Sequence, residues 1–168
     1  MPLKTRITPF LWFDQEAEEA AKFYCSIFPN SRITQVTRYG EAGYEHHHQE
    51  AGKVMTVAFE LDGCPMTAIN GGPIFTFNES VSFVIACRDQ AEIDRYWEKL
   101  TAGGDPRAQQ CGWLKDRYGL SWQVVPENIG ELMGSGDSEA AQRVMNVVLP
   151  MKKLDLAAMQ AAHDGVPV

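Results

Sequence analysis

The chain has 168 residues, enough for one well-cored domain or for two small modules sharing a core. With 45% hydrophobic and 22% charged residues it has an ordinary globular composition, and no apolar run approaches the roughly 18 residues of a membrane span. A net charge of -7 with scattered basic residues excludes the Lys/Arg footprint of a nucleic-acid binder.

Ile7 to Phe13 reads as a short buried strand. Asp14 is placed to cap the helix that follows, with Glu16, Glu18 and Glu19 in the first turns where the helix dipole favours negative charge. Ala17, Ala20, Ala21, Tyr24, Ile27 and Phe28 form its apolar stripe, and Pro29-Asn30-Ser31 ends it. A strand over Ile33 to Tyr39 comes next, then a polar loop holding His46, His47 and His48. Val54 to Leu61 and Met66 to Asn70 make a hairpin around Asp62-Gly63. Three consecutive histidines cannot all face one ion, so that loop reads as solvated.

Val81 to Cys87 is a second buried strand, and Asp89 with Glu92 has capping-box spacing. Ile93, Tyr96, Trp97 and Leu100 then lie on one helical face, which Gly103 terminates. Gln110 to Leu114 and Leu120 to Val125 are two antiparallel strands joined by the charged turn Lys115-Asp-Arg-Tyr-Gly119. Side-chain alternation gives the second of these an apolar face, Leu120, Trp122 and Val124, and a wetter one, Ser121, Gln123 and Val125. Beyond the break Gly134-Ser-Gly136, Asp137 or Ser138 can cap a helix bearing Ala141, Val144, Met145 and Val148. A last helix runs from Leu154 to His163. Helices this short do not stand alone and must dock on the domain or on a second subunit.

The two halves share a plan: strand, Asp-Gln, acidic helix with an aromatic pair (Phe23-Tyr24, then Tyr96-Trp97), strand, hairpin. Each reads as β-α-β-β-β, too small to bury its own faces. Pairing them puts the helices outside and a cup within. The expected organisation is a first module over 1–76, a second over 77–128 and a helical extension over 129–168.

Paired modules of this kind resemble the vicinal oxygen chelate superfamily of glyoxalase I, bleomycin-resistance proteins and extradiol dioxygenases. Within it the chain is similar to the PhnB-like group, named for 3-demethylubiquinone-9 3-methyltransferase. The matching stretches are TPFLWFDQEAEEAAKFYCSIFPNS, MTAINGGPIFTFNESVSF, DQAEIDRYWEKL, CGWLKDRYGLSWQVVP and the tail RVMNVVLPMKKLDLAAMQAAHDG. The resemblance implies an α+β fold of two paired βαβββ modules forming a curved sheet cup, with C-terminal helices, and a homodimer.

It also implies a divalent metal held by His, Glu or Gln, and here this chain departs. The usual histidine position falls on Ser82 and the usual glutamate position on Gln123. The first strand offers Thr8, Phe10 and Trp12, and the fourth Met66, Ala68 and Asn70. Such donors do not neutralise a divalent ion, so neither a metal nor another cofactor is expected.

The expectation is a cytoplasmic homodimer that binds a small molecule through Trp12, Asn70, Phe77, Ser82, Trp113 and Gln123, with no nucleic-acid or membrane partner. Two enzymatic alternatives stand beside it. One is a metal-dependent lyase, isomerase or dioxygenase recruiting His46 to His48 or Cys111. The other is the methyl transfer of the group's name, although the glycine-rich loop of a nucleotide fold is missing after Phe13. Neither assigns a catalytic residue. Four isolated cysteines, Cys25, Cys64, Cys87 and Cys111, suit a reducing compartment. The N-terminal stretch, interrupted by Thr8, Pro9 and Asp14, does not read as a signal peptide.

Overall fold

The computed structural model describes residues 6–134 and 138–166. The chain forms two compact units, one ending at Thr76 and the other beginning at Phe77.

The first unit contains β1 (Phe10–Phe13), α1 (Ala17–Ile27), β2 (Arg32–Arg38), the single turn α2 (Tyr44–His47), β3 (Val54–Leu61) and β4 (Cys64–Asn70). Its sheet has the order β1-β4-β3-β2, with β1 parallel to β4 and the other pairs antiparallel. One face is apolar: Leu11, Phe13, Val57, Phe59, Leu61, Met66 and Ala68 are buried there. The predicted stripe of α1 is buried too, through Ala17, Ala20, Ala21, Tyr24 and Ile27, with Tyr24 stacked on Phe59 at 6.5 Å. Three alanines let this helix lie close to the sheet. The β3–β4 turn has positive φ at Asp62 (46°) and Gly63 (79°), the type I′ geometry that Asp-Gly favours.

The start of α1 differs from expectation. Asp14 does not cap it; the helix begins after Glu16, which makes no side-chain cap. The amide of Ala17 instead donates to Asn70 Oδ1 at 2.8 Å. Gly71 N–H bonds Phe13 O and Gly72 N–H bonds Asp14 O, so the end of β4 is held beside the helix start. A partner 53 residues away replaces the local cap.

The second unit contains β5 (Ser82–Cys87), α3 (Gln90–Thr101), a 3-10 turn (Pro106–Ala108), β6 (Trp113–Lys115), β7 (Ser121–Pro126), α4 (Ile129–Met133), α5 (Glu139–Val148) and α6 (Leu156–Asp164). The sheet order is β5-β7-β6, with β5 parallel to β7 and β6 antiparallel to it. As predicted, Asp89 caps α3 by accepting from Glu92 N–H at 2.9 Å, and Ile93, Tyr96 and Leu100 are buried. With them lie Ile85, Cys87, Leu114, Trp122 and Val124 from one face of the sheet.

This second module is one strand short of the first. The βαβββ pattern puts a strand between α3 and the hairpin, but residues 102–112 run as turns with a single bridge, Gln110 to Trp113. Backbone conformation explains why: φ is positive at Gly103 (81°), Cys111 (51°) and Gly112 (82°), and Pro106 has no N–H for a ladder. At Gly104 a Cβ would stand 2.1 Å from the Lys115 carbonyl oxygen. The Cys111 and Gly112 amides bond Met151 O and Lys152 O, so the tail takes the place of a strand partner.

The tail docks on its own unit. Leu132, Val144, Val148, Leu154, Met159 and Ala162 cluster with Val125 of β7. Ser138 caps α5, its Oγ accepting from Ala141 N–H at 3.1 Å, while Met145 of the predicted stripe is exposed. The alternative cap Asp137 and the predicted break at Ser135-Gly136 lie outside the described residues. Among the described residues no helix is long and apolar enough to cross a membrane.

Candidate functional site

The register of the second sheet decides which side chains share its face away from α3. Ser82 pairs with Ser121, Val84 with Gln123 and Ala86 with Val125; Trp113 pairs with Gln123 and Lys115 with Ser121. The parity read from Leu120 to Val125 is therefore correct. At the Val125 end the tail cluster covers this face. Farther along β7, Gln123 Nε2 donates to Ser82 Oγ at 2.9 Å. Two of the predicted site residues thus hold each other.

Beside this pair is a recess of about 400 Å³, within the range of about 300–1,000 Å³ usual for small-molecule sites. Glu79, Gln110, Cys111, Trp113, Lys115 and Ser121 line it, with Ala108 and Leu114. Lys115 Nζ lies 2.5 Å from Glu79 Oε1, and that contact holds the Glu79 carboxyl below the usual carboxylate range. Ser121 is 1% exposed, and among the described residues its hydroxyl has no hydrogen-bond partner. Most buried hydroxyls find one, so such an orphan calls for an explanation. Cys111 places its thiol against the last carbonyls of α5, 3.5 Å from Val148 O and 3.5 Å from Leu149 O.

The hairpin beneath the recess depends on a residue that sequence reasoning treated as a turn charge. Asp116 is 2% exposed. Its Oδ1 accepts from Tyr118 N–H (2.9 Å) and Leu120 N–H (3.1 Å), and its Oδ2 from Trp122 Nε1 (2.8 Å). The carboxylate closes the turn and fixes Trp122 under α3, which in turn sets the register of Lys115 and Ser121.

The predicted residues divide between the units. Ser82, Trp113 and Gln123 meet on the open face of the second sheet, and Phe77 is half-buried ahead of β5. Trp12 lies in the first unit, its indole donating to Gly72 O at 2.8 Å and its ring edge-on to Phe75 at 5.0 Å. Asn70 lies on the helix-covered face rather than with Trp12, because Trp12 pairs with Ile69. Besides capping α1, its Nδ2 donates to Val54 O at 3.1 Å. It also walls a smaller recess of about 220 Å³ with Gln15, Glu18, Gln49, Lys53 and Val54. Lys115, Glu79 and Gln110 were not singled out by the sequence. Trp113, Cys111 and the alternation that put Ser121 on the face of Gln123 pointed to this corner.

The donor set does not suit the divalent metal of the superfamily. Ser82 and Gln123 are neutral and bonded to each other. Among the described residues no group of three His, Cys, Asp or Glu is placed to hold an ion. The His47 ring is tilted against Tyr39 at 4.6 Å and accepts from Gln49 N–H at 3.0 Å, which ties it to its own loop.

The sequence profile of the 3-demethylubiquinone-9 3-methyltransferase family matches residues 5–125. The chain belongs to this family. A putative 3-demethylubiquinone-9 3-methyltransferase, PhnB protein, from Bacillus cereus is 35% identical over 72% of this chain and 99% of its own, with a TM-score of 0.61. A protein from Pseudomonas aeruginosa, 20% identical over 73% of this chain and 98% of its own, superposes with a TM-score of 0.55. The fosfomycin resistance protein FosX from Listeria monocytogenes, 13% identical over 79% of this chain and 98% of its own, gives 0.50. These last two likenesses concern the fold alone, that of the vicinal oxygen chelate superfamily. None of the curated proteins matches the chain. The tail, which sequence reading joined to the family, lies beyond the matched residues.

Proposed function

We propose that this protein binds a small molecule in the recess on the open face of its second sheet, with Trp113 as the apolar wall and Ser121 as the polar floor. The observation that carries the reading is the recess itself, a cavity of ligand size walled by the half-buried Trp113 and lined by Gln110, Cys111 and Ser121. The Ser82–Gln123 pair fixes the adjoining surface. Phe77 precedes β5 in the same unit, whereas Trp12 and Asn70 belong to the first unit, where their bonds hold the end of β4 and the start of α1.

The metal-dependent alternative asks for several imidazole, thiolate or carboxylate ligands together, whereas at the recess Glu79 is paired with Lys115 and the Cys111 thiol lies on the Val148 and Leu149 carbonyls. Methyl transfer, the activity in the family's name, asks for a cofactor loop, yet β1 is followed by Asp14-Gln15-Glu16. A cytoplasmic homodimer completes the proposal. Four free thiols suit a reducing compartment, and Val84, 60% exposed on β5, offers an apolar contact for a second copy. Module boundaries at 1–76, 77–128 and 129–168 are proposed with it.

The test is small-molecule mass spectrometry of what denaturation releases from untreated protein. The reading expects a compound retained by the parent protein and lost from Trp113→Ala. Equal release from both contradicts it. Near-stoichiometric zinc, nickel or iron in the same sample favours the metal enzyme, and a saturable thermal shift with S-adenosylmethionine favours the methyltransferase.

A further inference from the structure

The C-terminal tail meets the rest of its unit along a narrow seam. Among the described residues of the tail cluster, only Val125 and the partly buried Cys111 precede α4; the others pack on one another. Polar contacts make the rest of the seam, and they converge on residues 151–156. Gln90, the first residue of α3, donates from Nε2 to Leu154 O at 3.1 Å, and its Oε1 accepts from Leu156 N–H at 2.8 Å. One turn along α3, Asp94 Oδ1 lies 2.5 Å from Lys153 Nζ. The Cys111 and Gly112 amides donate to Met151 O and Lys152 O, each at 2.8 Å. The family profile takes in α3 and β6 and ends within β7, so the seam joins a family module to a segment outside it.

One side of the seam is also a wall of the recess, where Cys111 stands between Gln110 and Trp113. The backbone at Cys111 has φ of 51°, a conformation that residues other than glycine adopt at a cost. Such a bend persists where its surroundings hold it. Here the two tail carbonyls hold its amides, and Val148 O and Leu149 O each lie 3.5 Å from the thiol. With the tail away, the amides of the bend lose their acceptors and its strain is no longer held.

We infer that residues 151–156 form a strap that leaves the sheet as a unit with the tail helices, and that its docking sets the wall of the recess at Cys111. Its bearing on ligand binding rests on the reading of the recess as the binding site; the strap itself is tested without a ligand.

The test is hydrogen exchange, read amide by amide on the full chain and on Gln90→Ala, a substitution outside the recess. The substitution removes both bonds from α3 to Leu154 and Leu156. Exchange at Cys111 and Gly112 should rise about ten-fold together, with the ladder amides of β5 and β7 unchanged. Iodoacetamide labelling then reports the wall. Cys111 should react about ten-fold faster in the variant, while exposed Cys64 and buried Cys87 keep their rates. Unchanged exchange at Cys111 and Gly112 overturns the strap, because the lost bonds then mattered only at Leu156. Acceleration of the ladder amides by the same factor overturns it too, since tail and sheet would open as one. Faster exchange with unchanged Cys111 labelling leaves a strap but overturns its hold on the recess wall. None of these outcomes depends on ligand retention, which the release assay reads separately.

Discussion

Replacing Asp116 by Ala removes a carboxylate that accepts three hydrogen bonds at 2.8–3.1 Å while only 2% exposed. Bonds to a charged acceptor contribute about 1.5–3 kcal/mol each, and an orphaned buried donor costs about 1–3 kcal/mol. Relief of the buried charge offsets part of this. The expected net loss is about 3–5 kcal/mol, read as a shift in urea midpoint at constant slope. Asp116→Asn sharpens the test. Its amide oxygen can keep the two backbone donors, but its NH₂ then faces the Trp122 N–H. We expect about 2 kcal/mol of destabilisation from the lost charge-assisted bond and the opposed donors. In a Trp122→Phe background the opposition disappears, so the second substitution should cost about 1 kcal/mol less than in the parent. Strict additivity, or an Asp116→Ala loss below about 1 kcal/mol, refutes the claim that this carboxylate holds the hairpin.

Asn70→Ala should destabilise by about 2–3 kcal/mol, since it removes the α1 cap and the donor to Val54 O, and Asn70→Asp should not rescue it because the donor is still missing. Equal ligand retention by stable Asn70 variants, measured by the same release assay, supports a structural role for this residue. Gly104→Ala meets the Lys115 carbonyl at 2.1 Å and should cost about 2 kcal/mol or more in a urea melt, whereas Gly130→Ala, in a helix with nothing within 4 Å, should stabilise by less than about 1 kcal/mol. Burial pushes the Cys87 thiol up to about 12 from an ordinary value of 9.0. Between those pH values the unfolded chain loses this proton and the folded chain keeps it, so the contribution is intact below pH 9 and fades as pH rises. Cys87→Ala should therefore flatten the alkaline fall in stability. At pH 8 iodoacetamide should label exposed Cys64 and leave Cys87 untouched; rapid alkylation of Cys87 in folded protein contradicts the burial argument.

Local signals carried much of the fold. The stripes of α1 and α3, the Asp89 cap and the Asp62-Gly63 turn each arise from residues a few positions apart, so the sequence displayed them directly. The interactions that escaped are long-range. Asn70 reaches α1 from 53 residues away, and nothing near Asp14 announces that its capping role is taken. The missing strand of the second module had its signs in Gly103, Gly104 and Pro106, but the tail carbonyls that replace its partner, Met151 O and Lys152 O, are some 40 residues downstream. For the site, alternation on β7 found the correct face, because one strand suffices to fix parity. It could not show that Gln123 and Ser82 would satisfy each other while Ser121 stays unpaired. That depends on the β5–β7 register. Parity failed on β4, where Asn70 was grouped with Trp12 though the register pairs Trp12 with Ile69.

The most direct test is a crystal structure of the protein grown from cell extract without solvent treatment. The account predicts density for a bound molecule lying along Trp113 in the recess that Gln110 and Ser121 help to line. A recess closed by the protein's own side chains, or histidines gathered there around an ion, would contradict it.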